Sequence, residues 1–155
     1  IKEQVDDIIN ITEPAWTIRP HKLTTEEMQR ILPISGQFPV KPEYAAIIMV
    51  PAGTVCKTHV DDKANEAGVR QRVTAINIPI RVHEKSVFQY MEQEELGVYN
   101  KVIEELTIHD GAKCWRVDIP HRVDNSQSPY NRVVLSLSYC QTIEQLYEIY
   151  RRTKS

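Results

Sequence analysis

The chain has 155 residues, of which 41% are hydrophobic and 26% are charged, and its formal net charge is -2. That composition is typical of a globular chain, and this length suffices for one domain whose core needs no disulfide or structural metal. Lys and Arg are scattered rather than clustered, so we expect neither nucleic acid nor an anionic membrane as a partner.

The longest apolar stretch, residues 44–52, is too short to span a bilayer, which takes about 20 residues. The first residues carry no basic-then-apolar signal pattern, and the three cysteines form no C-x-x-C pair. These features predict a single domain, residues 1–155, in a reducing, cytoplasmic setting. The oligomeric state stays open.

The predicted elements begin with a short helix, because Thr24 and Glu27 have the spacing of a capping box and Pro33 ends the pattern. Strands are predicted at residues 45–50, 73–80, 86–91, 113–119 and 131–139, and residues 92–107 fit helix and strand equally. Residues 142–152 place Ile143, Leu146, Tyr147 and Tyr150 at helical spacing, which predicts a closing amphipathic helix.

The strand at residues 131–139 alternates most clearly. One face carries Val133, Leu135, Leu137 and Tyr139, and the other carries Arg132, Val134, Ser136 and Ser138. Several short strands with Gly, Pro and Asp-Gly turns between them predict a mainly β fold, an antiparallel sandwich or barrel. We expect the barrel core at about residues 40–140, with helices only near the two ends.

His59-Val60-Asp61 is the only His-x-Asp match in the chain. On a strand, residues two apart point to the same side, so this spacing presents an imidazole and a carboxylate together. A non-haem Fe(II) centre uses two His and one carboxylate on one face and leaves the other positions open. The motif therefore predicts two of three iron ligands.

The third predicted ligand is His121, at a strand end followed by a polar turn. Eleven residues later Arg132 begins a strand, on the face that it shares with Ser136. A guanidinium offers a planar two-pronged donor that suits the far carboxylate of a dicarboxylate co-substrate. His121 and Arg132 thus add a possible anion site to the possible metal site.

With these residues the sequence resembles the 2-oxoglutarate and Fe(II)-dependent oxygenases, which have a double-stranded β-helix. The nearest branch is the aspartyl/asparaginyl β-hydroxylase-like and proline-hydroxylase-like group. The resemblance spans about residues 45–139 and is carried by the His-x-Asp motif, by Asn77-Ile78-Pro79-Ile80, and by the segments at residues 120–125 and 132–137.

The resemblance implies a jelly-roll or cupin-like barrel and a hydroxylase that releases succinate and carbon dioxide. It implies that His59, Asp61 and His121 are the catalytic iron ligands and that Arg132 binds the C5 carboxylate of 2-oxoglutarate. Fe(II) is then the cofactor, 2-oxoglutarate and O2 are co-substrates, and the substrate is an amino acid, a peptidyl residue or another small molecule.

Two departures from the family pattern bear on these roles. Many members have a hydroxyl residue two positions after the Arg, where this chain has Val134, so Ser136 or a Tyr elsewhere is expected to assist. The animal β-hydroxylases lack the carboxylate ligand, whereas Asp61 is present here, which favours the proline-hydroxylase-like pattern.

Other interpretations stay open at this point. His59 and His121 also suit polar turns, Arg132 an exposed strand position, and Asn77 either the pocket lining or a hydrogen-bonded core amide. The barrel also suits a metal-binding cupin with another activity, or a non-catalytic binding scaffold.

Four further features concern the substrate. Arg72, Arg81 and Arg122 are candidates to hold an acidic substrate at the mouth of the barrel, and residues 62–71 are the candidate lid.

Overall fold

The structure, a computed structural model, describes residues 21–24, 26–27, 40–61 and 71–154. Within these ranges the chain forms two antiparallel sheets and one helix of more than two residues, so the predicted mainly β class is confirmed. The elements are β1 (His21–Lys22), β2 (Tyr44–Val50), β3 (Thr74–Arg81), β4 (Val87–Glu95), β5 (Val98–Leu106), β6 (Lys113–Arg116), β7 (His121–Asp124), β8 (Arg132–Tyr139) and α1 (Ile143–Lys154).

The larger sheet has the strand order β1-β2-β8-β3-β6, and the smaller sheet has the order β5-β4-β7. Residues 55–59 run beside β7 and add two bridges to it, Val55 with Asp124 and His59 with His121. The smaller sheet therefore has a fourth extended segment along one edge. Backbone pairing with β7 thus fixes the position of His59, one of the predicted ligands.

Strand β8 lies at the centre of the larger sheet, between β2 and β3, and all eight of its residues are buried. Its outer face packs Leu135 and Leu137 in a cluster that Leu146 of α1 also contacts. Its inner face contributes Val134 to a second cluster, which contains Phe88 of β4. The predicted alternation is confirmed, and the face with Arg132 and the serines points into the space between the sheets.

The segment that fitted both helix and strand, residues 92–107, is a hairpin. Strand β4 continues to Glu95, and the turn at Leu96–Gly97 leads into β5, with Gly97 at φ 79°. The pairing of β4 with β5 contains register shifts, and β5 is almost entirely exposed. Neither an unbroken alternation nor a buried face was therefore present to indicate a strand.

The strand predicted at residues 113–119 ends earlier, at Arg116, and the chain becomes a strand again at His121. The predicted first helix is described only at its start, where the Thr24 Oγ1 accepts from the Glu27 amide at 3.1 Å and the Glu27 carboxylate accepts from the Thr24 amide at 3.0 Å. This is the predicted capping box; the remainder of that helix lies outside the described residues, as does the predicted lid apart from Gln71.

Helix α1 confirms the predicted C-terminal helix but not its whole apolar face. Leu146 packs against the outer core, whereas Tyr147 is 64% exposed and Tyr150 is 45% exposed. Ile149, partly buried and three residues after Leu146, lies where Tyr147 was expected. Considering the described ranges alone, no helix has the length and apolar character needed to cross a membrane.

Candidate metal centre

Backbone hydrogen bonds bring together three residues that are far apart in sequence. His59 and His121 exchange two of them, each 2.9 Å long, and His121 also pairs with Tyr90 of β4. The Asp61 amide donates to the Val117 carbonyl at 2.9 Å. His59 lies on a single bridge rather than a regular strand, and His121 begins β7 rather than ending a strand.

The side chains of His59, Asp61 and His121 converge, and we call them the His–Asp–His triad. One carboxylate oxygen, Asp61 Oδ1, lies 3.2 Å from His59 Nε2 and 3.2 Å from His121 Nε2. The three ligand atoms lie within 4.8 Å of one another. The structure therefore brings together the three predicted ligands in a spacing that one metal ion can bridge.

The other ring nitrogen of each histidine is held by the backbone. His59 Nδ1 lies 2.8 Å from the Lys57 carbonyl oxygen, and His121 Nδ1 lies 2.7 Å from the Ile119 carbonyl oxygen. A carbonyl can only accept, so each Nδ1 carries the proton and each neutral ring directs the Nε2 lone pair at Asp61. Three electron-rich atoms then face one another, which requires added protons or a cation between them.

The pKa values of Asp61 and His59 are both shifted in the direction that favours the charged form of each group. Burial raises the pKa of the Asp61 carboxyl, but hydrogen bonds from His121 and His59 outweigh burial and hold this pKa well below its usual range. The hydrogen bond to Asp61 raises the pKa of His59, against the opposing effect of burial. A carboxylate that is ionised throughout the neutral range is a suitable hard ligand for Fe(II).

The triad lies at the edge of the interior rather than in its centre. The His121 side chain is 5% exposed, that of Asp61 is 21% exposed and that of His59 is 51% exposed. One side of the group is therefore enclosed by protein, while the side beyond His59 is open to a molecule from solvent.

Aromatic rings wall the enclosed side. The Phe88 ring stacks on His121 with centroids 5.0 Å apart and on Trp115 with centroids 4.2 Å apart. These rings fix the plane of the His121 imidazole and exclude water around it. This role of Phe88 was not predicted from sequence, since a Phe on a predicted strand more often serves packing alone.

The Arg132 side chain is almost completely buried, at 2% exposed. Its Nη1 donates to Ser86 Oγ at 3.2 Å, and its Nε has no hydrogen-bond partner among the described residues. Among the residues that the structure describes, no carboxylate lies within 4.0 Å of this guanidinium. Burial lowers the pKa of Arg132 from 12.5 to about 10, so the group remains charged at neutral pH.

A buried cation without a counter-ion is costly, and it suits an anion that enters from outside the protein. Arg132 is therefore not the exposed strand residue that the sequence alone left possible.

Asn77 and Ser136 are neighbours on the inner face, since β3 and β8 pair them directly. Both are buried, at 7% and 4% exposed, and the Asn77 Oδ1 has no partner among the described residues. Trp115 Nε1 and Arg132 Nε are also buried and also have no hydrogen-bond partner among the described residues. Because buried polar atoms are nearly always satisfied, unpartnered atoms on one inner face mark a polar space between the sheets. Asn77 is thus not the hydrogen-bonded core amide.

The structure brings together the predicted ligands and places Arg132, Ser136 and Asn77 on the inner face that they share. Two further residues of the site, Ser86, whose hydroxyl holds Arg132, and Phe88, were not predicted; only the alternation of the strand at residues 86–91 could have placed them. No model of a known protein family and no curated protein matches the chain, so the residues and their geometry are the basis for assigning a function.

Proposed function

We propose that the protein is an Fe(II)- and 2-oxoglutarate-dependent dioxygenase that hydroxylates an amino acid, a peptidyl residue or another small molecule. The observation that carries this proposal is a two-His, one-carboxylate group together with a buried guanidinium that has no carboxylate partner in the described part of the chain. A metal site alone suits many activities, whereas the added anion site selects a co-substrate with a carboxylate at its far end.

The backbone distance between a partner of Arg132 and a partner of His121 is compatible with 2-oxoglutarate. Ser86, the partner of Arg132, directly precedes β4, and Tyr90 of that strand pairs with His121. Four residues of extended chain span roughly 13 Å. A five-carbon dicarboxylate, ligating a metal at one end and hydrogen-bonded at the other, has a length of this order.

The distribution of strands supports a double-stranded β-helix as the fold. In chain order, β2, the segment at residues 55–59, β3 and β4 fall alternately in the larger and smaller sheets. Of the remaining four strands, β6 and β8 belong to the larger sheet and β5 and β7 to the smaller sheet. Without β1, eight extended segments therefore form two layers of four. Jelly-roll barrels consist of eight strands in two such layers.

In this proposal His59, Asp61 and His121 hold Fe(II) through the Nε2 atoms and a carboxylate oxygen. When bound, iron and 2-oxoglutarate supply the oxidising chemistry: O2 and 2-oxoglutarate become succinate and carbon dioxide as a substrate C–H becomes C–OH. Arg132 binds the C5 carboxylate, and Ser136 and Asn77 line the same inner face. Phe88 and Trp115 keep water from the enclosed side of the triad.

The decisive measurement is the anaerobic visible spectrum. We expect Fe(II) and 2-oxoglutarate together to give a metal-to-ligand charge-transfer band that neither gives alone. His59→Ala should abolish the band, and the matched control His109→Ala, an exposed histidine outside the triad, should retain it. Metal binding without the band would contradict the proposal and favour the metal-binding cupin.

A further inference from the structure

Arg72 is held beside the triad by a chain of backbone contacts. The Asp61 amide donates to the Val117 carbonyl, and the Val117 amide donates to the Val73 carbonyl, each at 2.9 Å. The Gln71 side-chain amide also donates to the carbonyls of Asp61, at 3.0 Å, and of Arg72, at 3.2 Å. Residues 71–73 are therefore fixed against the segment that carries the carboxylate ligand.

The Arg72 guanidinium lies over the ring of Tyr44, 4.5 Å from its centroid. Tyr44 pairs with Ser138, so it belongs to the inner face of the larger sheet. Arg72 is half-buried, and among the described residues no carboxylate lies within 4.0 Å of it. Its charge reaches the triad, since Arg72 is one of the groups that act to lower the pKa of His59.

The two other arginines that the sequence offered for an acidic substrate lie elsewhere. Arg81 is exposed at the far end of β3 from Arg72. Arg122 donates from its Nε to Gln89 Oε1 at 2.8 Å. Arg122 follows His121 on β7, and because strand neighbours alternate it points to the opposite face of the smaller sheet. Arg72 is thus the one of the three that lies beside the triad.

Arg72 and Arg132 lie at opposite ends of the inner face. Strand β8 pairs Arg132 with Val50 at one end of β2 and Ser138 with Tyr44 at the other. Six residues of extended chain separate these pairs, which is about 20 Å. A ligand held by Arg72 therefore approaches the triad from the side away from Arg132, where the exposed His59 leaves the group open.

We propose that Arg72 binds a carboxylate of the hydroxylation substrate, which is therefore a carboxylic acid. A guanidinium stacked on an aromatic ring keeps its N–H edges available for a two-pronged carboxylate contact. A half-buried position strengthens that contact relative to one in bulk water. The inference rests on the proposed function, because it assigns the substrate of that same centre.

The test uses Arg72→Gln, with Arg81→Gln as the matched control on an exposed arginine. Saturation-transfer NMR on the Zn(II)-loaded, diamagnetic protein with 2-oxoglutarate measures binding of the twenty free amino acids and of their carboxamides. We expect one or more acids to bind and their carboxamides not to bind. Loss of a charge-assisted two-pronged contact should weaken that binding about ten- to hundredfold in Arg72→Gln and leave it unchanged in Arg81→Gln.

The anaerobic charge-transfer band separates this inference from the proposed function. We expect Fe(II) and 2-oxoglutarate to give the band in the unchanged protein and in both variants, since Arg72 is remote from Arg132. With the band present, binding of no free acid, equal binding of the carboxamides, or equal affinity in Arg72→Gln would overturn the role of Arg72 alone. Absence of the band in the unchanged protein would overturn the proposed function instead.

Discussion

Replacing Arg132 by Met should stabilise the protein in the absence of ligand and abolish its binding of 2-oxoglutarate. Burial lowers the pKa of Arg132 from 12.5 to about 10, which corresponds to about 3 kcal/mol by which burial disfavours the charged guanidinium. Within the described ranges Arg132 makes one hydrogen bond, to Ser86, and its Nε has no partner, so most of this cost is uncompensated. Met is unbranched and apolar, so it fills much of the same volume without a charge.

We therefore expect Arg132→Met to raise the free energy of unfolding by about 1–3 kcal/mol, measured by urea denaturation of the metal-free protein. In the Mn(II)-loaded protein, 2-oxoglutarate at one hundred times its dissociation constant should add about 2.7 kcal/mol to the unchanged chain. It should add nothing to the variant. Arg81→Met, at an exposed position, is the control and should change stability by less than about 0.5 kcal/mol.

Either of two results would refute this reasoning. A loss of stability in Arg132→Met would mean that the guanidinium serves the fold rather than a ligand. Continued stabilisation of the variant by 2-oxoglutarate would mean that the co-substrate binds without Arg132.

Three further predictions concern the triad. His121→Ala should reduce Mn(II) affinity at least about a hundredfold in calorimetric titration. Removing a metal ligand should weaken binding more than removing a residue that hydrogen-bonds to a ligand, which usually costs about 10- to 100-fold. The control His109→Ala, at an exposed histidine, should leave the affinity unchanged. In the metal-free protein the attraction between Asp61 and His59 should stabilise the fold most between pH 3.8 and 6.5, because it is lost below this range as Asp61 is protonated and above it as His59 is deprotonated. The measurement is the difference in free energy of unfolding between the unchanged protein and Asp61→Asn at a series of pH values. A difference that does not vary with pH would contradict the prediction. Phe88→Leu should cost about 2–4 kcal/mol, because the Phe88 ring contacts those of Tyr90, Trp115 and His121. It should also broaden the His121 imidazole signals in NMR, and unchanged signals would exclude Phe88 as the residue that orients His121.

The sequence predicted best those parts whose pattern and environment agree. The strand β8 alternates in sequence, and its two faces have different surroundings: one apolar core outside, and inside a second apolar cluster together with buried polar side chains. The spacing predicted that Arg132 and Ser136 share a face, and the register of β8 with β3 adds Asn77 to that face beside Ser136. The triad was predictable for a similar reason, because ligand chemistry restricts the residue types strongly.

Other parts depend on contacts that no local pattern records. Strand β5 is held at a sheet edge by pairing with β4 alone, and its register shifts break the alternation that identifies a strand. The stacking of Phe88 on His121 joins two strands, and the contact of Arg72 with Tyr44 joins residues that precede one strand and begin another. Tyr147 fitted the helical spacing of α1, yet it is exposed because the core contacts the helix along a neighbouring line of residues.

The carbonyls that hold the two imidazoles belong to Lys57 and Ile119, each two residues before its histidine. Every amino acid supplies a backbone carbonyl, so the orientation of both rings requires no particular side chain at either position. Residues 57 and 119 can therefore change in type while both imidazoles keep their direction. The aim of the rings depends on the path of the backbone before each ligand, whereas the plane of the His121 ring depends on the side chain of Phe88 as well.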